Sequence, residues 1–69
     1  MADRTITVNG EARALPGPAT VAGLLSELGI EGRKVAIERN LEIVPRSRFA
    51  ATVLAPGDRI EVVSFVGGG

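Results

Sequence analysis

One amphipathic segment restricts the possible folds of this chain more than any other feature. Thr20 precedes it as a candidate helix N-cap, and Gly29 follows where a left-handed residue commonly ends a helix. Gly23 lies within the segment, where a small residue is expected to allow close packing on a sheet. The apolar residues recur at i, i+3, i+4 and i+7 and therefore share one helical face: Val21, Leu24, Leu25 and Leu28. Because the chain has only 69 residues, this helix must bury its apolar face within one small domain.

Two strands joined by a tight turn are predicted before the helix. Residues 5–8 are all β-branched and alternate in direction, which is typical of a strand. Asn9-Gly10 is a strong hairpin signal, because a type I′ turn needs positive φ at both central positions. Residues 11–15 are then expected to return as a second, antiparallel strand.

Three further strands are predicted after the helix. They are short extended runs separated by turn residues: 35–39, 42–44 and 59–66. Asn40 provides the turn between the first two, and Pro56-Gly57-Asp58 provides the turn before the last. The segment 46–54 is predicted to be irregular or a single helical turn, with three apolar anchors: Phe49, Val53 and Leu54.

This order of elements predicts an α+β roll of the ubiquitin-like β-grasp type. The helix must pack on a mixed sheet of four to five strands, with the last strand parallel to the first. The predicted domain comprises residues 1–66, and residues 67–69 form a flexible C-terminal tail of three glycines.

The composition excludes most catalytic chemistry. The chain has no Cys and no His, so it lacks a thiol nucleophile, the usual neutral-pH base and the common metal-ligand sets. Eight basic and eight acidic residues give a net charge of zero, which does not favour nucleic-acid binding. No apolar run approaches the length of a membrane span, and no export signal is apparent. We therefore expect a cytoplasmic protein that is not an enzyme and binds no metal, nucleic acid or membrane.

The charged residues give no clear catalytic pattern. Glu38 and Glu42 flank a turn and Asp58 lies in another, and all three are interpreted as solvated surface or turn residues. Arg39, Arg46 and Arg48 could form a basic site, but a solvated face is the simpler interpretation: the chain contains only two aromatic residues for stacking. Lys34, the single lysine, is expected to be exposed.

The three C-terminal glycines are the most unusual feature. At an average glycine frequency of about 7%, such a run at a given place occurs by chance in roughly one chain in 3,000. Glycine lacks a side chain, so the run could enter a narrow tunnel in another protein's active site. The run would present the α-carboxylate of Gly69 there. With no Cys to form a persulfide or thioester, any activated cargo would have to be carried on that carboxylate.

Four segments of the chain together form a recognisable pattern: Thr-Val-Ala-Gly-Leu-Leu at 20–25, Val-Pro-Arg-Ser at 44–47, Pro-Gly-Asp-Arg-Ile-Glu-Val-Val at 56–63 and Val-Gly-Gly-Gly at 66–69. This pattern resembles the ThiS family of sulfur carrier proteins in thiamin (thiazole) biosynthesis. The resemblance extends over essentially the whole chain, with Phe49 standing where many relatives carry Trp.

The resemblance implies a cycle of activation and sulfur transfer at Gly69. A ThiF-like adenylyltransferase would use ATP to adenylate the Gly69 carboxylate, while the carrier itself would bind no cofactor. Sulfur from a cysteine desulfurase relay would replace AMP and leave a thiocarboxylate. A ThiG-like thiazole synthase would then take that sulfur, with Gly67 and Gly68 threading the tail into each partner.

The same resemblance and the strand alternation together suggest a docking surface. If Ile60 and Val62 pack on the helix, Val63 and Phe65 form an exposed apolar patch beside the tail. With Val66, these residues are the predicted partner contacts.

Other functions remain open on sequence alone. Related carriers serve molybdopterin synthase or cysteine synthesis, and a protein-modifier role is also possible. A pure binding module, such as the regulatory β-grasp domains of RNA-handling enzymes, belongs to a different class. Removal of Gly69 separates the classes, since a carrier should lose all function and a binding module should not.

Overall fold

An antiparallel hairpin begins the fold. The computed structural model describes residues 4–15 and 18–65, in which β1 (Thr5–Val8) pairs with β2 (Glu11–Ala14). The turn residues Asn9 and Gly10 have φ values of 51° and 85°, as the type I′ prediction requires.

Helix α1 (Val21–Leu28) follows and has both predicted end structures. At its start, the Thr20 side-chain oxygen accepts a hydrogen bond of 3.1 Å from the Gly23 backbone N–H. At its end, Gly29 adopts a left-handed conformation with φ of 73°, and its N–H donates to the carbonyls of Leu25 and Ser26. The caps satisfy backbone groups that a helix of two turns would otherwise leave unpaired.

Three strands complete the sheet: β3 (Val35–Arg39), β4 (Glu42–Val44) and β5 (Arg59–Ser64). Within the described ranges the strand order is β2-β1-β5-β3-β4, with β1 parallel to β5 and the other pairs antiparallel. The ubiquitin-like β-grasp prediction is therefore confirmed. Strand β5 ends at Ser64, two residues earlier than predicted, and Val66 lies outside the described residues.

The core lies between α1 and one face of the sheet. Ile37, Ile60 and Val21 are completely or almost completely buried at its centre. Phe49 and Leu54 are buried as predicted, but the prediction that Val53 anchors the same segment is wrong. The Val53 backbone forms an isolated β-bridge with Thr20, but its side chain is 58% exposed.

The prediction that Gly23 permits close helix–sheet packing is also wrong. Gly23 lies on the exposed side of α1, and a Cβ there would meet Thr20 Oγ1 at 3.5 Å, which is ordinary contact. This glycine therefore weakens the helix without a packing advantage.

We expect Gly23→Ala to raise the free energy of unfolding by about 1 kcal/mol, because alanine loses less backbone entropy in a helix. Gly29→Ala is the matched control and should lower it by about 1–2 kcal/mol, since alanine is strained in a left-handed conformation. Urea denaturation measures both changes. An unchanged or lower stability for Gly23→Ala would contradict this account of the helix.

Candidate functional site

The end of β5 brings the chain to the predicted site. Phe65, the last described residue, donates a 2.9 Å hydrogen bond from its N–H to the Lys34 carbonyl. The predicted contact Val66 and the predicted tail residues Gly67, Gly68 and Gly69 lie outside the described residues. The predicted boundary between the folded domain (1–66) and the tail (67–69) also lies outside the described residues, so it stays a prediction.

The sheet face opposite α1 carries an exposed apolar surface beside this exit. Ile60 is fully buried and Val62 packs against the core, so Val63 and Phe65 point to the other side. They are 55% and 57% exposed, as the strand alternation predicted. Ala36 lies opposite Val63 in the β3–β5 register, and exposed Ile43 lies on the same face in β4. We call these four residues the open-face patch: Ala36, Ile43, Val63 and Phe65.

The course of β5 toward the patch is fixed on both sides. On one side, β3 pairs with it as far as Val35 and Ser64. On the other side, β1 has already ended, and the Asn9 side chain continues the pairing. Asn9 Oδ1 accepts a 2.8 Å hydrogen bond from the Val62 N–H, and Asn9 Nδ2 donates to the Val62 carbonyl at 3.4 Å. The sequence identified Asn9 as a turn residue but gave no signal for this second role.

Asp58 is the main correction to the sequence interpretation. It is 6% exposed, not a solvated turn residue. Its Oδ2 accepts hydrogen bonds of 2.8 Å from both Arg39 Nε and the Ala55 N–H. Its Oδ1 accepts one of 3.0 Å from Asn40 Nδ2. Asn40 in turn pairs with the backbone of Arg59, so one carboxylate connects the β3–β4 turn to the start of β5.

The protonation of Asp58 follows from this environment. Burial alone would raise its pKa, but hydrogen bonds from Ala55, Arg39 and Asn40, together with the Arg39 charge, outweigh that effect. The pKa of Asp58 therefore lies below its ordinary value of 3.8. The carboxylate stays ionised and bonded at neutral pH, which makes it a structural group and a poor proton donor or acceptor.

The arginines do not form one free basic site. The guanidinium of Arg39 is bound to Asp58, and its side chain is only one-third exposed. Arg46 donates a 3.4 Å hydrogen bond to the Arg33 carbonyl, near the place where the chain leaves the sheet. Arg48 is exposed. Lys34 is exposed as predicted and lies 3.9 Å from Glu31.

The described residues contain no candidate metal centre. Among them, no group of three or more acidic side chains is arranged to hold a metal ion. No buried side-chain polar atom in the ranges 4–15 and 18–65 lacks a hydrogen-bond partner. No helix in those ranges is long and apolar enough to cross a membrane. The described residues do present an exposed apolar surface at the end of β5.

A comparison with protein families agrees with this fold. The model of the ThiS family matches residues 6–69, which is nearly the whole chain and includes the three glycines. The chain belongs to the ThiS family.

Individual relatives support the assignment. The sulfur carrier protein ThiS of Bacillus subtilis is 42% identical over 50 residues, which cover 72% of this chain and 76% of that protein. The crystal structure of the thiamine biosynthesis protein ThiS from Geobacter metallireducens superposes with a TM-score of 0.80 at 37% identity. That match covers 94% of this chain and 99% of the other.

Two other relatives are much longer proteins and are named thiazole synthase. The thiazole synthase of Paramagnetospirillum magneticum is 52% identical over 64 residues, which are 93% of this chain. These residues make up 20% of that protein, so this chain spans about a fifth of its length. A second thiazole synthase, from Magnetococcus marinus, matches at 47% identity over the same share.

We expect Asp58→Asn to lower the free energy of unfolding at pH 7 by about 2 kcal/mol, because a charge-assisted hydrogen bond to Arg39 is lost. The folded-state pKa of Asp58 is below its unfolded value of 3.8, so its contribution is complete well above 3.8 and is lost progressively as the pH falls through the folded-state pKa. Urea denaturation from pH 7 to pH 2 should show the variant and wild type converging in acid. A constant difference between them across this range would contradict the assignment.

Proposed function

We propose that this chain is a sulfur carrier protein that supplies sulfur for thiazole formation in thiamin biosynthesis. The observation that carries the proposal is the match to the ThiS family, which extends through the terminal glycines to residue 69. The family match favours this function over the molybdopterin, cysteine-synthesis and binding-module alternatives.

The reacting group is the Gly69 carboxylate. In the first step, a carboxylate oxygen attacks the α-phosphorus of ATP on a ThiF-like adenylyltransferase and displaces pyrophosphate. In the second, a persulfide sulfur from a cysteine desulfurase relay attacks the acyl carbon, and AMP leaves. A thiol then reduces the acyl disulfide, which leaves the thiocarboxylate on Gly69. The carrier contributes no catalytic side chain and binds no cofactor, which agrees with a chain that lacks Cys and His.

Gly67 and Gly68 form the part of the tail that passes into the partner enzyme. A residue without a side chain can pass through a channel too narrow for any other, and it imposes little conformational restriction. We assign residues 1–66 to the folded domain and residues 67–69 to the tail on this basis.

The short length of the tail explains why the residues next to it, at the end of β5, should be a docking surface. Four residues follow Phe65, and four fully extended residues span at most roughly 14 Å. Any enzyme that acts on Gly69 must therefore contact the carrier close to Phe65. Val63 and Phe65 are large apolar side chains exposed there, and Val66 is the next residue, so these three are proposed as partner contacts.

A ThiG-like thiazole synthase is the proposed acceptor of the sulfur. In two proteins named thiazole synthase, a segment similar to this chain shares one polypeptide with a much longer sequence. Physical association between carrier and synthase is consistent with that arrangement. The adenylyltransferase and the desulfurase relay are proposed because the family resemblance implies them, and we place the whole cycle in the cytoplasm.

We expect deletion of Gly69 to abolish thiazole formation in a mixture of the carrier with adenylyltransferase, desulfurase and thiazole synthase from the same organism. The fold should be unchanged, since Phe65 is the last residue described with a hydrogen bond to the sheet. Product formation is followed by chromatography, and circular dichroism checks the fold. Thiazole formation at the wild-type rate by the deletion variant would refute the carrier function.

We expect Phe65→Asp to weaken binding to the partner enzymes by roughly tenfold or more, because a charge replaces an apolar contact. Val53→Asp is the matched control: Val53 is exposed to the same degree but lies beside α1, away from the open-face patch. Calorimetric titration with each enzyme compares the two variants. Equal binding by Phe65→Asp and wild type would exclude Phe65 as a contact.

A further inference from the structure

Two glutamates face each other on the open face of the sheet. Glu38 in β3 lies directly opposite Glu61 in β5, and both are half-buried. Directly opposed residues in an antiparallel pair have Cβ atoms about 4.5–5.5 Å apart, so like charges there destabilise the sheet.

No basic side chain in the described residues forms an ion pair with either glutamate. Among those residues, ion pairs within 4 Å join Arg33 and Lys34 to Glu31, and Arg39 to Asp58. Arg59 lies two residues from Glu61 on the same face, but it is not within that distance of either carboxylate. The sheet therefore contains two opposed carboxylates that no described side chain bridges.

The pair lies within the open-face patch. Ile43 is opposite Glu38 on one side, and Val63 and Ala36 form the next opposed pair along β5 and β3. A partner that covers the apolar side chains must therefore also cover both carboxylates. Removing water from two adjacent carboxylates is strongly unfavourable unless the partner supplies a positive charge.

We propose that the Glu38–Glu61 pair binds an arginine or lysine side chain of the thiazole synthase when that enzyme docks on the open-face patch. This inference rests on the proposed function, which makes the synthase a partner. A guanidinium is well suited to the pair, because its five N–H donors can reach two carboxylates at once. The cation relieves the repulsion in the complex, so the pair favours the bound state and selects a partner with a basic group at this position.

The test compares two double variants with equal changes in net charge. Glu38→Gln/Glu61→Gln neutralises the pair, and Glu11→Gln/Glu27→Gln neutralises two exposed glutamates away from the open face, on β2 and α1. Binding to the thiazole synthase of the same organism is measured by calorimetry at low and high salt, and thermal melting is recorded for each free carrier.

We expect the Glu38/Glu61 variant to melt at a higher temperature than wild type yet to bind the synthase about tenfold more weakly or worse at low salt. Its affinity should also depend less on salt, because the screened charge contact is gone. The control variant should bind like wild type. A stable fold with weaker binding distinguishes a contact residue from a residue needed only for folding.

Three results would overturn the inference: wild-type affinity in the Glu38/Glu61 variant, an equal loss in the control variant, or no binding of wild type to the synthase. The proposed function is judged separately, by whether wild type acquires sulfur on Gly69 from its adenylyltransferase and desulfurase. Sulfur acquisition with unaltered binding by the Glu38/Glu61 variant would reject this inference and leave the carrier function intact.

Discussion

The position of the final strand depends on the hydrogen bonds that the buried carboxylate of Asp58 accepts. It accepts hydrogen bonds from the β3 residue Arg39, from the turn residue Asn40 and from the Ala55 backbone just before β5. These contacts join segments separated by up to 19 residues and close the β3–β4 turn onto the start of β5. Because β5 is the central strand and leads into the tail, its register determines which side chains surround the tail root.

Most of the fold follows from local patterns in the sequence. The β-branched run, the Asn-Gly turn and the apolar stripe that begins at Val21 each have one favourable structure, and in a chain this short those structures pack in few ways. The exposure of Val63 and Phe65 followed from alternation along β5 as soon as Ile60 faced the core.

The remaining features depend on contacts that no local pattern encodes. Pro-Gly-Asp indicates a turn, but nothing near Asp58 in the sequence points to Arg39 as its partner. The pairing of Asn9 with Val62 spans 53 residues and required the parallel β1–β5 register. The opposition of Glu38 and Glu61 likewise appears only when β3 and β5 are aligned residue by residue.

The stabilising contacts and the proposed partner surface lie on opposite faces of the sheet. The helix side of the sheet contains the apolar core, and the ionised Asp58 fixes the strands at one end. The open face instead carries exposed apolar side chains and two directly opposed glutamates, an arrangement that contributes little to folding. Such features are expected on a surface whose stabilising contacts form with another protein.

Accurate intact-mass measurement tests the central claim most directly. The carrier is incubated with ATP, the adenylyltransferase and a sulfur source, beside a Gly69-deleted control. The account predicts that one oxygen at the C-terminus is exchanged for sulfur in the wild type and not in the control. Accurate mass is required because oxidation of Met1 adds one oxygen. That addition raises the mass by nearly the same amount as the replacement of one oxygen by sulfur. An unchanged wild-type mass with an active enzyme, or the same exchange in the control, would contradict a carrier that acts through Gly69.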